Sequence, residues 1–235
     1  MEGGEMVQDT IFSDVSARGI GRLAERYRPA RWSEVVGQDA AIKRIAAIGV
    51  SEGLGGQAYW ITGQSGTGKT TIAYLLAAEL ADALNVCELN AEELTPARIR
   101  TMRDSSRLAG LGVKTGRAYI INESHGLDTA CIRQFLTMFE EDIPLHVCWI
   151  FTTTNAGDRD LFGEKLDASP FRSRCKIISL ARRGLCGLFA ARARQIAQET
   201  GADGKDISAY ETLVKHHKNN LRAVLQDIGA GYMKG

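Results

Sequence analysis

The eight residues "GQSGTGKT", Gly63 to Thr70, constrain this chain more than any other stretch. They match the pattern G-x-x-x-x-G-K-[ST] in full, follow the apolar run 58–62 and open a helical pattern from Lys69 to Leu84. Glycines let the backbone turn until its N–H groups converge on phosphate oxygens, and the helix N-terminus adds partial positive charge. Lys69 reaches the outer phosphates, and Thr70 offers its hydroxyl to magnesium. Gly63, Gln64, Ser65, Gly66, Thr67, Gly68, Lys69, Thr70 and Thr71 are therefore the expected cradle for ATP and Mg2+.

Four further apolar runs, at 85–90, 118–122, 147–154 and 175–179, are interleaved with helical patterns at 39–50, 96–108 and 128–141. Apolar strands separated by helices imply an α/β fold, a five-stranded parallel sheet covered on both faces. Beyond Leu180 no strand pattern recurs. Leu185, Leu188, Phe189 and Ile196 share one helical face, and two more helices are expected near 206–217 and 219–229. The expected division is a flexible leader over 1–22, a nucleotide-binding core over 23–180 and a small helical lid over 181–235.

Charge excludes little: 29 Lys and Arg stand against 28 Asp and Glu, so any nucleic-acid surface must come from local clustering. The five cysteines are scattered without a C-x-x-C pair, the pattern of reduced, mostly buried thiols in a cytosolic protein. No apolar run approaches the ~18 residues a membrane span requires. A cytoplasmic or nucleoid-associated location is expected, with no membrane partner.

The stretch "AYIINESHGLD", Ala118 to Asp128, ends a strand in Asn122 and Glu123. A strand-end acid beside a phosphate loop polarises the attacking water, which makes Glu123 the expected general base. Asn122 stands where an acid would serve the metal, and its carbonyl oxygen is the remaining contact for magnesium-bound water. His125 reads as a hydrogen-bonded structural histidine.

Together these features resemble the AAA+ ATPases, and among them the clamp-loader subunits, replication factor C small subunits and the bacterial gamma/tau subunit. The resemblance runs from about Leu23 to Ile228. "ERYRPARWSEVVGQ" is similar to the N-terminal box of clamp loaders, which implies that Arg26, Tyr27, Arg28 and Pro29, with Gly37 and Gln38, pack around the adenine. "ELNAEE" resembles the segment that follows the second strand. By the same resemblance Asn155 in "IFTTTN" is the sensor that meets the gamma phosphate or the lytic water. Arg174 in "SRC" is the finger that reaches a neighbouring subunit's ATP, and Arg222 in "NNLRAVLQD" is the second sensor, on the lid. Three departures accompany it: Asn122 replaces the metal-binding Asp, the cysteine-rich zinc insert of gamma subunits is missing, and no counterpart of the family's helical collar follows within these 235 residues.

Clamp loaders thread primer–template DNA past helices in the region that follows "ELT". Arg100, Arg103 and Arg107 share one face of the 96–108 helix, a stripe able to follow a phosphate backbone. The implied function is an ATP-dependent clamp loader working as an oligomer, of pentameric type, with other AAA+ subunits, a sliding clamp and DNA. Two rivals keep the fold: a helicase loader or branch-migration motor, and a weakly hydrolysing ATP-gated scaffold, which Asn122 favours.

Overall fold

A computed structural model describes residues 22–154 and 169–234. By their contacts the described residues form two compact units, 38–182 and a second made of 22–37 with 183–234.

The first unit contains the sheet. Its strands are β1 (Gln57–Thr62), β2 (Val86–Asn90), β3 (Arg117–Asn122), β4 (Val147–Thr153) and β5 (Lys176–Ser179), in the order β2-β3-β4-β1-β5. Every adjacent pair is parallel. All seven residues of β4 are buried, as a central strand covered on both faces demands. Alternation along the strands sends Trp60, Tyr119, Ile121, Trp149 and Phe151 to one face. There they meet Phe135 and Phe171 edge-on, with Phe135–Phe151 centroids 5.1 Å apart at 89° and Phe151–Phe171 centroids 5.0 Å apart at 83°. Such edge-to-face pairs add about 0.5–1.5 kcal/mol each beyond their buried area.

Helices α1 (Leu23–Arg26), α2 (Asp39–Ser51), α3 (Lys69–Leu80), α4 (Pro96–Ser106), α5 (Thr129–Glu140) and α6 (Ser169–Ser173) occur up to β5. Thr95 caps α4 by accepting from the Arg98 N–H at 3.2 Å, with Pro96 at the first turn where its missing N–H costs least. Asp128 caps α5 in the same way at 2.6 Å. Helix α3 stops four residues short of the sequence expectation. Ala81 is extended and bridges Thr115, and the side chains of Asp82 and Asn85 are turned to another loop.

The second unit holds α7 (Cys186–Glu199), α8 (Ile207–His216) and α9 (Leu221–Gly229), with α9 packed on α1, α7 and α8. Residues 23–37, which the sequence places with the core, group here with the C-terminal helices. Leu188, expected on the buried face of α7, is exposed; Phe189, Ala193 and Ile196 carry that face instead. Among the five thiols, Cys131, Cys148 and Cys175 are buried, and burial pushes Cys148 up to about 12, which leaves it inert at neutral pH.

Candidate active site

The phosphate loop leaves β1 at Thr62, where the chain order of the sheet reverses, with β4 on one side and β5 on the other. The Gly63 N–H donates to the Thr153 carbonyl at 3.2 Å. A Cβ on Gly63 would lie 2.9 Å from both Leu180 Cβ and Thr67 Oγ1, so only glycine fits. Gly68 caps α3 at φ 103°, a left-handed geometry that favours glycine, and the space where its Cβ would project is open. Lys69 is 7% exposed and donates to the Gly63 and Gln64 carbonyls at 3.1 and 3.2 Å. Thr70 and Thr71 lie half-buried in the first turn of α3.

Gln38 braces this loop. Its amide nitrogen donates to the Thr67 carbonyl at 3.2 Å, and its amide oxygen accepts from the Ala181 N–H at 2.7 Å. At 2% exposure, with both ends of the amide used, it ties the loop to the chain that leaves β5. Sequence reasoning placed Gln38 in the N-terminal box without seeing this role, which joins residues far apart in the chain.

Glu123, just past β3, has φ 49° and ψ 47°. A left-handed non-glycine residue costs about 1–2 kcal/mol, and such strain concentrates at working sites. Its carboxylate lies 3.4 Å from His125 Nδ1, which also contacts Thr153 Oγ1 at 3.5 Å. Ser124 is fully buried and donates to the Ile121 carbonyl at 2.9 Å, fixing the turn that presents the acid. Asn122 is hydrogen-bonded on both sides, to Glu88 of β2 and Thr152 of β4.

The sequence-expected residues divide between the units. The loop residues 63–71, Asn122, Glu123 and Arg174 belong to the sheet unit; Arg26, Tyr27, Arg28, Pro29 and Arg222 belong to the helical unit. Arg26 stacks over the Tyr27 ring at 5.4 Å, and Arg28 pairs with Glu25 at 2.8 Å. Arg222 is exposed in the first turn of α9. Asn155 lies outside the described residues. Arg174 is tethered to the Pro170 carbonyl at 3.0 Å and Glu140 at 3.3 Å.

The arginine stripe does share one face, and that face meets α5. Arg100 donates to Gln134 at 3.2 Å, Arg103 pairs with Glu141 at 3.4 Å, and Arg107 stands 4.0 Å from the same carboxylate. Arg103 is partly buried, while Arg100 and Arg107 are exposed.

The donor set fits a magnesium nucleotide. The hydroxyl of Thr70, the amide oxygen of Asn122 and the carboxylate of Glu123 are all hard oxygen donors of the kind Mg2+ takes alongside phosphates, directly or through water. Among the described residues no three His, Cys, Asp or Glu gather as a metal cluster.

A phosphate loop at the switch point of a parallel sheet, with a strained strand-end acid two strands away, defines a nucleotide-binding P-loop domain. The family model described as "ATPase family associated with various cellular activities (AAA)" matches residues 59–178, just over half the chain, and the chain belongs to that family. It is 31% identical over 153 residues to DNA polymerase III subunit gamma/tau of Mycoplasma pneumoniae, covering 56% of this chain and 22% of that protein. It is also 27% identical over 161 residues to the replication factor C small subunit of Methanoregula boonei, covering 65% of this chain and 46% of that protein. The chain thus spans between 22% and 46% of the length of these relatives. RuvB of Thermotoga maritima shares the fold, with a TM-score of 0.65 at 19% identity over 86% of this chain and 64% of that one.

Proposed function

We propose that this chain is an ATP-hydrolysing subunit of the clamp-loader type, which binds ATP and Mg2+, assembles with further AAA+ subunits and places a sliding clamp on primer–template DNA. The phosphate loop holds the triphosphate, Lys69 turns from its loop carbonyls to the outer phosphates, and Glu123 orients the attacking water. Bound Mg2+ neutralises the charge that develops between the outer phosphates. Asn155 and Arg222 are the proposed sensors, and 26–29 the proposed adenine box.

Arg174 suits a neighbour's nucleotide better than its own. Strand β5 runs parallel to β1 with Ser179 beside Thr62, and Arg174 precedes Ser179 by five residues. The three strand steps from Lys176 to Ser179 cover about 10 Å at about 3.3 Å per residue, and Arg174, in the turn before Lys176, enters from the sheet end opposite the phosphate loop.

The observation that supports the clamp-loading part is a set of exposed apolar side chains at that opposite end. Val50, Leu84, Leu108, Leu111, Val113 and Leu145 are all exposed, and each lies in a segment leading into the N-terminal end of β1, β2, β3 or β4. The 108–115 loop is also pinned. Asn85 donates to the Leu111 carbonyl at 2.7 Å and accepts from its N–H at 3.1 Å, while Asp82 accepts from Val113 and Lys114 N–H groups at 2.7 and 3.1 Å. A loop that exposes Leu111 at 80% and Val113 at 91% from a fixed backbone is ordered without burying its own apolar tips, the mark of a docking surface. Replacing Leu111 and Val113 by Glu should abolish retention of the clamp on an affinity column, at about 1.5–3 kcal/mol for each apolar side chain removed from the interface. Nucleotide affinity should stay unchanged. Equal clamp retention by the variant contradicts the clamp-loading reading and favours a motor that works on DNA alone.

Arg100 and Arg107 are the proposed phosphate contacts of the stripe, able to exchange Gln134 and Glu141 for DNA. Their joint replacement by Ala should lower the salt slope of DNA binding by about 1.8, two phosphate contacts at about 0.9 each. An unchanged slope in a salt titration places DNA elsewhere.

A further inference from the structure

Three strands and a helix meet in one hydrogen-bonded row. Asn122 Nδ2 donates to Glu88 Oε1 on β2 at 2.5 Å, and Asn122 Oδ1 accepts from Thr152 Oγ1 on β4 at 2.9 Å. The Tyr74 hydroxyl, from α3, donates to the other oxygen of Glu88. Both ends of the row lie on elements that border the phosphate loop. Thr152 stands beside Ile61 in the β1–β4 register, two residues before Gly63. Tyr74 is four residues beyond Thr70, one turn along the same face of α3.

The row explains the amide at 122. A carboxylate only accepts hydrogen bonds, whereas an amide both donates and accepts. Beside Glu88, an Asp would set two acceptors of like charge face to face; Asn gives Glu88 a donor and still offers an oxygen to Thr152. Glu88 also decides which way the amide points. Thr152 bonds to either end of an amide, but Glu88 accepts only, so Nδ2 is held toward β2 and Oδ1 away from it.

We propose that Glu88 is a positioning residue of the magnesium site: through Asn122 it supplies the negative charge that the end of β3 lacks, and it keeps the carbonyl oxygen of Asn122 presented for the metal's water. The charge has moved one strand over rather than vanished. This inference rests on the nucleotide-binding reading above. Without the Glu88 carboxylate the site is one charge short, and a neutral partner that both donates and accepts no longer fixes the sense of the amide, so its NH2 can face the cation.

The test is a Mg2+ titration of fluorescent-ATP binding, begun in EDTA and read as affinity rather than turnover. Glu88→Gln should leave affinity in EDTA unchanged and raise the Mg2+ concentration for half-maximal tightening about tenfold, the order expected for one unit charge near a divalent ion in a partly hydrated site. The exchanged pair Glu88→Gln with Asn122→Asp, which restores one carboxylate facing one amide, should bring that midpoint back to near the wild-type value. A midpoint unmoved by Glu88→Gln overturns the inference, as does a shifted midpoint that the exchanged pair does not restore. A wild-type chain that binds no nucleotide at any Mg2+ level overturns the phosphate-loop reading, and this inference with it.

Discussion

Lys69→Ala is expected to abolish tight ATP binding. The ammonium is 7% exposed and already lies within the loop, bonded to the Gly63 and Gln64 carbonyls at 3.1 and 3.2 Å. Exchanging those neutral acceptors for phosphate oxygens turns two bonds from a cation to a neutral carbonyl into bonds between opposite charges. Each charged bond contributes roughly 1.5–3 kcal/mol, so the loss of both exceeds a hundredfold in Kd. The fold should survive, because α3 keeps its glycine cap and its buried face of Ile72, Leu75 and Leu76. Equilibrium binding of a fluorescent ATP, with a thermal melt as folding control, measures both. An affinity within threefold of wild type removes the loop from the account.

Glu123→Gln is expected to stop hydrolysis and spare binding. The residue lies beyond the strand that ends in Asn122, and its backbone is left-handed, a strain of about 1–2 kcal/mol that glutamine bears equally. The substitution therefore changes the proton acceptor and little else. General-base contributions run at about 10²–10⁴ in rate, and a fall of that size is expected in steady-state turnover. His125 would lose its charged partner at 3.4 Å, yet its contact to Thr153 at 3.5 Å remains to hold the turn. A variant that hydrolyses at the wild-type rate shifts the base elsewhere.

Local chemistry wrote the sheet and the phosphate loop plainly. Runs such as "AYWIT" and "VCWIFTT" are apolar on both faces, and only a covered parallel strand tolerates that. The glycines of 63–68 and the helix that follows them are equally local. What stayed hidden depends on distant partners. Helix α3 ends at Leu80 because Asp82 and Asn85 are committed to the 110–114 backbone, which no helical period reveals. The helical period puts Arg100, Arg103 and Arg107 on one face of α4, but it cannot show Gln134 and Glu141, which only the packing of α4 against α5 brings to them. Asn122 looked like a lost acid, because its meaning lies with Glu88, and only the β2–β3 pairing brings the two together. Asn155 falls outside the described residues.

The measurement closest to the central claim, that one chain's Glu123 and another's Arg174 share a site, mixes two inactive variants. Glu123→Gln and Arg174→Ala chains, each with little turnover alone, are combined in equal amounts with ATP, Mg2+ and primed DNA. Random head-to-tail assembly leaves about a quarter of the interfaces with an intact Glu and an intact Arg, so about a quarter of the wild-type ATPase rate should return. A mixture no more active than its parts, in particles shown by mass to contain both chains, contradicts the shared site.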